Sequence, residues 1–165
     1  MTEATDAIPE VPRFGQLLAA HIGSVPDRSR PRFLARLERG AADRYRGWAA
    51  AVPDHAHALL DCAASEEQIA IRAEGLYAAI PEDLAQIEAA LPDAIRTYYD
   101  VFDGLSVRQQ LALQAAAERQ GAQAWQRLKE QPGLSDEHRA ELDALSALEL
   151  ASADKVDGVV AALAE

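Results

Sequence analysis

Four glutamates stand where helices should be burying apolar side chains. In the stretch around LERGAADRYRGW (37–48), Leu34, Glu38, Ala41, Tyr45 and Trp48 step by four, three, four and three, so Glu38 shares a face with the apolar and aromatic set. Eighty residues later, AERQGAQAW (117–125) puts Glu118 on one face with Ala115, Ala122 and Trp125. Glu66 repeats the arrangement among Ala63, Ala70 and Ala73, and Glu149 among Leu145, Ser152 and Val156. Each helix thus aims one carboxylate at the interior. A buried anion costs several kcal/mol unless it meets a proton, a basic partner or a metal ion. Carboxylates from four facing helices suit hard cations such as iron or manganese. The competing arrangement puts the four acids at the edges of wide alanine-rich faces, paired with Arg39, Arg119, Arg72 or Lys155.

Composition predicts the elements that must position these groups. The chain has 165 residues, the length of one domain with a core, and is 49% hydrophobic and 26% charged. Aromatics are only 5%, and the apolar share is mostly alanine and leucine, both strong helix formers, so an all-α fold is expected. Residues 1–12 read as a loose lead-in, and RFGQLLAAHI (13–22) as one short amphipathic helix. These belong to an N-terminal extension, 1–31, which precedes the main body, 32–165. The first long helix is predicted from Arg32 to about Ala51, and the second to about Tyr77, with Asp54 as its N-cap. Residues 78–105 contain Pro81, Pro92 and Gly104 and read as a long crossover holding two short helical pieces, EDLAQIEAAL and DAIRTYYDVF. SVRQ (106–109) has the form of a capping box and opens a third long helix to about Glu130. The fourth runs from near Asp136 to about Leu163.

The two halves, 32–77 and 106–163, resemble one another. Setting Glu118 on Glu38 brings Arg119 onto Arg39, Ala122 onto Ala42 and Trp125 onto Tyr45. Setting Glu149 on Glu66 matches Ala153 to Ala70, Lys155 to Arg72 and Gly158 to Gly75. Alanine-rich helices also align by chance. Two related hairpins joined by a long crossover make a four-helix bundle with approximate internal two-fold symmetry.

The motifs ERGAADRY (38–45), ERQGAQAW (118–125) and AASEEQIA (63–70) resemble those of the ferritin-like proteins, and within them the rubrerythrin-like branch. In the first, glutamate is followed seven residues later by tyrosine; in the second, tryptophan takes the tyrosine's place. The resemblance spans roughly residues 32–163. It implies a ferritin-like four-helix bundle with a long crossover, a di-metal site whose ligands are Glu38, Glu66, Glu118 and Glu149, and iron/oxygen or peroxide handling. The chain departs from the family where Glu-x-x-His is usual on the second and fourth helices: Ile69 and Ser152 stand at those positions. The expectation is therefore an altered, carboxylate-rich metal centre. The alternative is a metal-free bundle serving as an interaction or scaffold protein, as a homodimer or with another protein. A third reading is a bare pocket for an apolar ligand, since so much alanine leaves room between helices.

Other chemistry is excluded or muted. A formal charge of −11 disfavours nucleic acid or an anionic membrane surface as partner. The opening MTEATDAIPEVP has neither a basic nor an apolar leader region, and no apolar run reaches membrane-spanning length, so a soluble cytoplasmic protein is expected. The single cysteine, Cys62, agrees with a reducing compartment and reads as a small buried group. His21, His55, His57 and His138 lack ligand spacing and read as structural or solvated. No phosphate loop, zinc cysteine cluster or nucleophile motif is present, and no catalytic residue is identified.

Overall fold

The computed structural model describes residues 7–164; the first half of the expected lead-in, residues 1–6, and Glu165 lie outside the described residues. Every regular element among the described residues is a helix, in keeping with the composition. Helices α3 (Arg30–Ala51) and α4 (Ala56–Leu76) form one hairpin, and α6 (Val107–Lys129) and α7 (Asp136–Ala162) form another. The hairpins join chiefly through α4 and α7, which run antiparallel: Asp61 reaches Lys155 and Arg72 reaches Glu141. No helix among the described residues is long and apolar enough to cross a membrane.

The helix ends show which local signals decided the boundaries. Pro31 occupies the first turn of α3, where its missing N–H is not needed. Ser106 and Gln109 make the capping box that opens α6, each side chain bonding the other's backbone N–H. Ser135 caps α7 by accepting from the backbone N–H of His138 at 3.1 Å. Asp54 does not cap α4. It lies in a 3-10 turn, Pro53–His55, and α4 starts at Ala56 with no side-chain cap.

Two expectations about connections are corrected. The segment 13–22 is two short helices, α1 (Phe14–Leu17) and α2 (Ala19–Gly23), broken at Leu18. Residues 81–100 are not two pieces but one helix, α5 (Pro81–Asp100), continuous through Pro92. A proline inside a helix removes one backbone bond and crowds the preceding turn. Here Pro92 faces solvent, while Ile87, Leu91 and Ala94 bury an unbroken stripe with Phe33 of α3 and Leu18 at the α1–α2 junction. Tertiary burial on one face outweighs the local penalty on the other.

The core has a middle layer that is not apolar. One hydrophobic cluster gathers Tyr45, Trp48, Leu59, Leu111 and Val156. Another gathers Ala35, Ile69, Trp125, Leu142 and Leu145. On α3, α4 and α7 the interior glutamate falls between the residues given to these two clusters; on α6, Glu118 falls between Ala115 and Trp125. The glutamates thus share one level of the fold, roofed and floored by apolar packing.

Candidate metal centre

Glu66, Glu118 and Glu149 are at most 2% exposed, so three of the four acids are almost wholly screened from bulk solvent. Glu38 is part-buried, because it opens onto a cavity described below. One carboxylate oxygen from each of Glu38, Glu66 and Glu149 lies within 4.8 Å of the others. Glu118 is not in that triple, but its carboxyl lies within hydrogen-bonding reach of both Glu66 and Glu149. All four interior glutamates therefore meet in one space.

Pairing with the basic residues of their own helices does not occur. Arg39 reaches Glu74 at 2.8 Å, Arg72 bonds Glu141, Arg119 bonds Asp157, and Lys155 reaches Asp61 at 3.2 Å. Every base that might have neutralised a buried glutamate is turned to a more exposed acid. What surrounds the cluster instead is neutral. Tyr45 Oη donates to Glu118 Oε1 at 2.6 Å, and Gln114 Nε2 donates to the same oxygen at 2.6 Å. Trp125 Nε1 donates to Glu149 Oε1 at 2.8 Å. Ser152 Oγ donates to Glu66 Oε1 at 3.3 Å. Glu66 Oε2 is buried and meets no donor at all. Its polar neighbours are the carboxyls of Glu38 and Glu118, which can hydrogen-bond to it only through a retained proton.

The electrostatic consequence follows. Burial, then the negative neighbour Glu118, pushes the Glu38 carboxyl up to about 8. Burial and adjacent carboxylates likewise hold Glu66 and Glu149 well above the usual carboxylate range. Like charges this close cannot all ionise, and their protons belong to the group rather than to single residues. At neutral pH the cluster must hold protons or a cation. Burial pushes the nearby Cys62 thiol up to about 11, so it stays protonated, with its sulfur 3.8 Å from the Ser152 carbonyl oxygen.

The donor set fits a hard cation. It is all oxygen, it comes from three or four helices, and one buried oxygen meets no N–H or hydroxyl donor. No imidazole is available. Ile69 is fully buried in the apolar cluster around Trp125, and Ser152 uses its hydroxyl on Glu66. The four histidines lie elsewhere: His21 pairs with Thr97, His57 approaches Asp61, His138 packs on Tyr77, and His55 stands at the start of α4.

Three supporting residues escaped the sequence reading. Gln114 lies four residues before Glu118 and so shares its face, a spacing that would have found it. Tyr98 of α5 donates its hydroxyl to Gln114 Oε1, which turns the amide nitrogen toward Glu118. Gly121 is the third: a Cβ at this position would sit 2.8 Å from Glu149 Oε1 and 2.9 Å from its carboxyl carbon. The missing side chain is the room in which the Glu149 carboxylate lies.

A cavity of about 1010 Å³ leads from the surface to the cluster. Helices α3 and α6 touch at one end, where Trp48 Nε1 donates to Gln110 at 2.8 Å. At the other end Leu34 and Leu37 of α3 and Ala124 and Leu128 of α6 line the open space, with Phe14, Leu18 and Ile22 of the N-terminal segment closing one side. That segment is strapped to α6 by Gln120, which accepts from Phe14 N and donates to the Pro12 carbonyl, each at 2.9 Å. Glu38, Glu118 and Glu149 form part of the lining. No family model, curated protein or solved structure matches the chain.

Proposed function

We propose that the protein is a ferritin-like four-helix bundle, rubrerythrin-like in its helix motifs, whose altered metal centre binds iron or manganese through carboxylates alone. In this reading α3, α4, α6 and α7 are the bundle, α5 is the long crossover, and the two hairpins are an internal repeat. The observation that carries it is the unpartnered Glu66 Oε2, buried within a triple of carboxylates from three helices. Glu38, Glu66 and Glu149 would hold the metal, with Glu118 beside them, one oxygen already engaged by Tyr45 and Gln114.

A bound redox metal supplies the electron transfer needed to handle oxygen or peroxide. The chain's own residues do the rest. Trp125, Tyr45 and Gln114 fix the orientation of two carboxylates, and the flanking apolar clusters keep bulk water from the cluster's sealed sides. The cavity provides the approach, past Glu38.

One observation favours the metal-free alternative, a bundle acting as an interaction or scaffold protein. Ile69 occupies a position where a ligand is expected, and the carboxyls can satisfy each other by sharing protons. Metal analysis of protein purified from cells supplemented with iron or manganese decides between them. Stoichiometric metal that disappears in a Glu38→Ala, Glu66→Ala double variant supports the metal centre. A folded wild-type protein that carries no stoichiometric metal under either supplement refutes it.

A further inference from the structure

We propose that residues 7–17 are a lid over the approach to the glutamates, hinged at Leu18 and latched to α6 by the Gln120 side chain. Glu118, Glu149 and Trp125 belong to the lining of a cavity of about 1010 Å³, yet each is at most 2% exposed. Part of the cover comes from the N-terminal segment, whose residues 13–16 line the same space. The other walls belong to the long helices α3, α5, α6 and α7 or to the segment from Leu18 onward. Phe14 is the one buried residue of 7–17, and its ring centroid lies 6.0 Å from that of Tyr98. Tyr98 bonds Gln114, and Gln114 bonds Glu118, so the segment's one buried side chain rests on the groups that orient a carboxylate of the cluster.

The two halves of the N-terminal segment are attached very differently. From Leu18 onward it is anchored: Leu18 and Val25 pack with Phe33, Ile87 and Leu91, and Arg30 Nε donates to the Ile22 and Val25 carbonyls at 3.2 Å each. Before Leu18 it is lightly held. Helix α1 has four residues and no side-chain cap, too short to persist unless something holds it. Ile8, Val11 and Leu17 are exposed, so their apolar surface does little to fasten the chain. Besides Phe14, the attachments are two glutamines of α6. Gln109 Nε2 donates to the Ala7 carbonyl at 2.8 Å, while Gln120 spends both ends of its amide on the backbone, accepting from Phe14 N and donating to the Pro12 carbonyl. Losing that one side chain loses both bonds. A segment with so few buried contacts opens locally at a free energy well below that of global unfolding. The break between α1 and α2 at Leu18 supplies the hinge, since a few dihedrals at an element boundary absorb such a motion.

The lid deepens the metal-centre reading by naming what governs access to the centre, and rests on it only for what enters; the opening itself needs no metal. The test is acrylamide quenching of Trp125 in the full chain, with Trp48→Phe in every protein compared so that Trp125 is the sole indole. Hydrogen exchange, run without that change, reports on residues 7–17 directly. In the wild type these amides should exchange about a hundredfold faster than the interiors of α3 and α6. Gln120→Ala should speed their exchange further and raise the Trp125 quenching constant about threefold or more, with exchange inside α6 unchanged, so that opening rather than unfolding is read. Phe14→Ala should raise the quenching as well. Gln123→Ala, on the same helix and in the same lining but without a bond to the segment among the described residues, should alter neither. The proposal is overturned if residues 7–17 exchange as slowly as α3 and α6, if Gln120→Ala changes neither measurement, if it frees the segment without raising the quenching, or if Gln123→Ala has the same effect. A protein that shows the expected changes and binds no metal keeps the lid and loses the metal centre; one that binds metal without them keeps the centre and loses the lid.

Discussion

The two hairpins supply two carboxylates each to one space, yet they treat them differently. On the α6–α7 side, Glu118 accepts from Tyr45 and Gln114 and Glu149 accepts from Trp125, all within 2.8 Å. On the α3–α4 side, Glu66 has one longer bond from Ser152 at 3.3 Å and an oxygen with no donor. Glu38 is tied to Glu66 and opens onto the cavity. The donors are also not related by the repeat. Trp125 occupies the position equivalent to Tyr45, but it bonds the glutamate of its own hairpin, whereas Tyr45 reaches across to the other. The second hairpin holds its carboxylates in place with neutral groups, and the first leaves its pair dependent on a proton or a cation. Two hairpins whose sequences resemble one another thus yield an asymmetric site, with one fixed wall and one responsive wall.

The largest test of that asymmetry is pH. In chelator, the folded protein keeps protons on the cluster that the unfolded chain releases above the ordinary carboxyl range. The folded state then binds more protons, so stability falls as pH rises, by about 1.4 kcal/mol per pH unit for each proton retained. For Glu38 the window opens at the ordinary value of 4.5 and closes near 8. Asp83, Glu141 and Asp143, held low by Arg28, Arg72 and Lys129, titrate below this window and do not blur it. Urea unfolding between about pH 5 and pH 8 should show the decline. Glu38→Gln with Glu66→Gln should flatten most of it, and Glu149→Gln alone should leave the greater part. A wild-type profile that is flat or rising across the window contradicts the protonated cluster. Added cation should reverse the trend, since metal displaces those protons and binds more tightly as pH rises.

Truncating one acid on each side gives the next largest contrast. Glu118→Leu leaves the Tyr45 hydroxyl and the Gln114 amide buried without their acceptor, a loss of about 2–4 kcal/mol. Glu38→Leu strands no hydroxyl or amide donor and removes a carboxyl that is costly to bury beside other carboxyls, so the change is neutral or stabilising by about 1 kcal/mol. Chemical denaturation of both variants without metal measures the difference. Equal losses would mean that the two walls are equivalent after all.

Much of this arrangement was legible before any coordinates. Three- and four-residue steps put Glu38, Glu66, Glu118 and Glu149 on interior faces, because helical periodicity fixes direction from spacing alone. The Ser106 capping box was readable for the same reason, being wholly local. The continuity of α5 was not, since Pro92 is a local signal for a break and what overrides it is burial against Phe33 and Leu18, residues distant in sequence. The partners of Arg39, Arg72, Arg119 and Lys155 were equally hidden. Each base lies close in sequence to an interior glutamate, but its long side chain can reach an exposed acid on the neighbouring helix and keep its charge in water. The cavity depends on how far α3 and α6 diverge, which periodicity says nothing about.

Gly121 separates the two walls on the smallest scale. A helix interior normally gains about 0.5–1 kcal/mol when glycine becomes alanine. Gly158 of α7 is an ordinary case, with nothing within 4 Å of the added methyl, so Gly158→Ala should stabilise by that amount. At Gly121 the methyl would meet the Glu149 carboxyl at 2.8–3.0 Å, inside van der Waals contact. The carboxyl ends a flexible side chain, so it can move, but moving it forfeits the 2.8 Å bond from Trp125. Overpacking and the lost bond together cost about 1–3 kcal/mol, which offsets the helical gain and leaves Gly121→Ala neutral to destabilising by about 2 kcal/mol. The sharper signature is in the indole. Freed from its acceptor, Trp125 should shift its emission in Gly121→Ala and not in Gly158→Ala, while any bound metal should be weakened in the first variant alone. If both alanines stabilise alike with unchanged emission, the Glu149 carboxylate is not where the fixed wall requires it, and the contrast between the hairpins loses one of its two anchors.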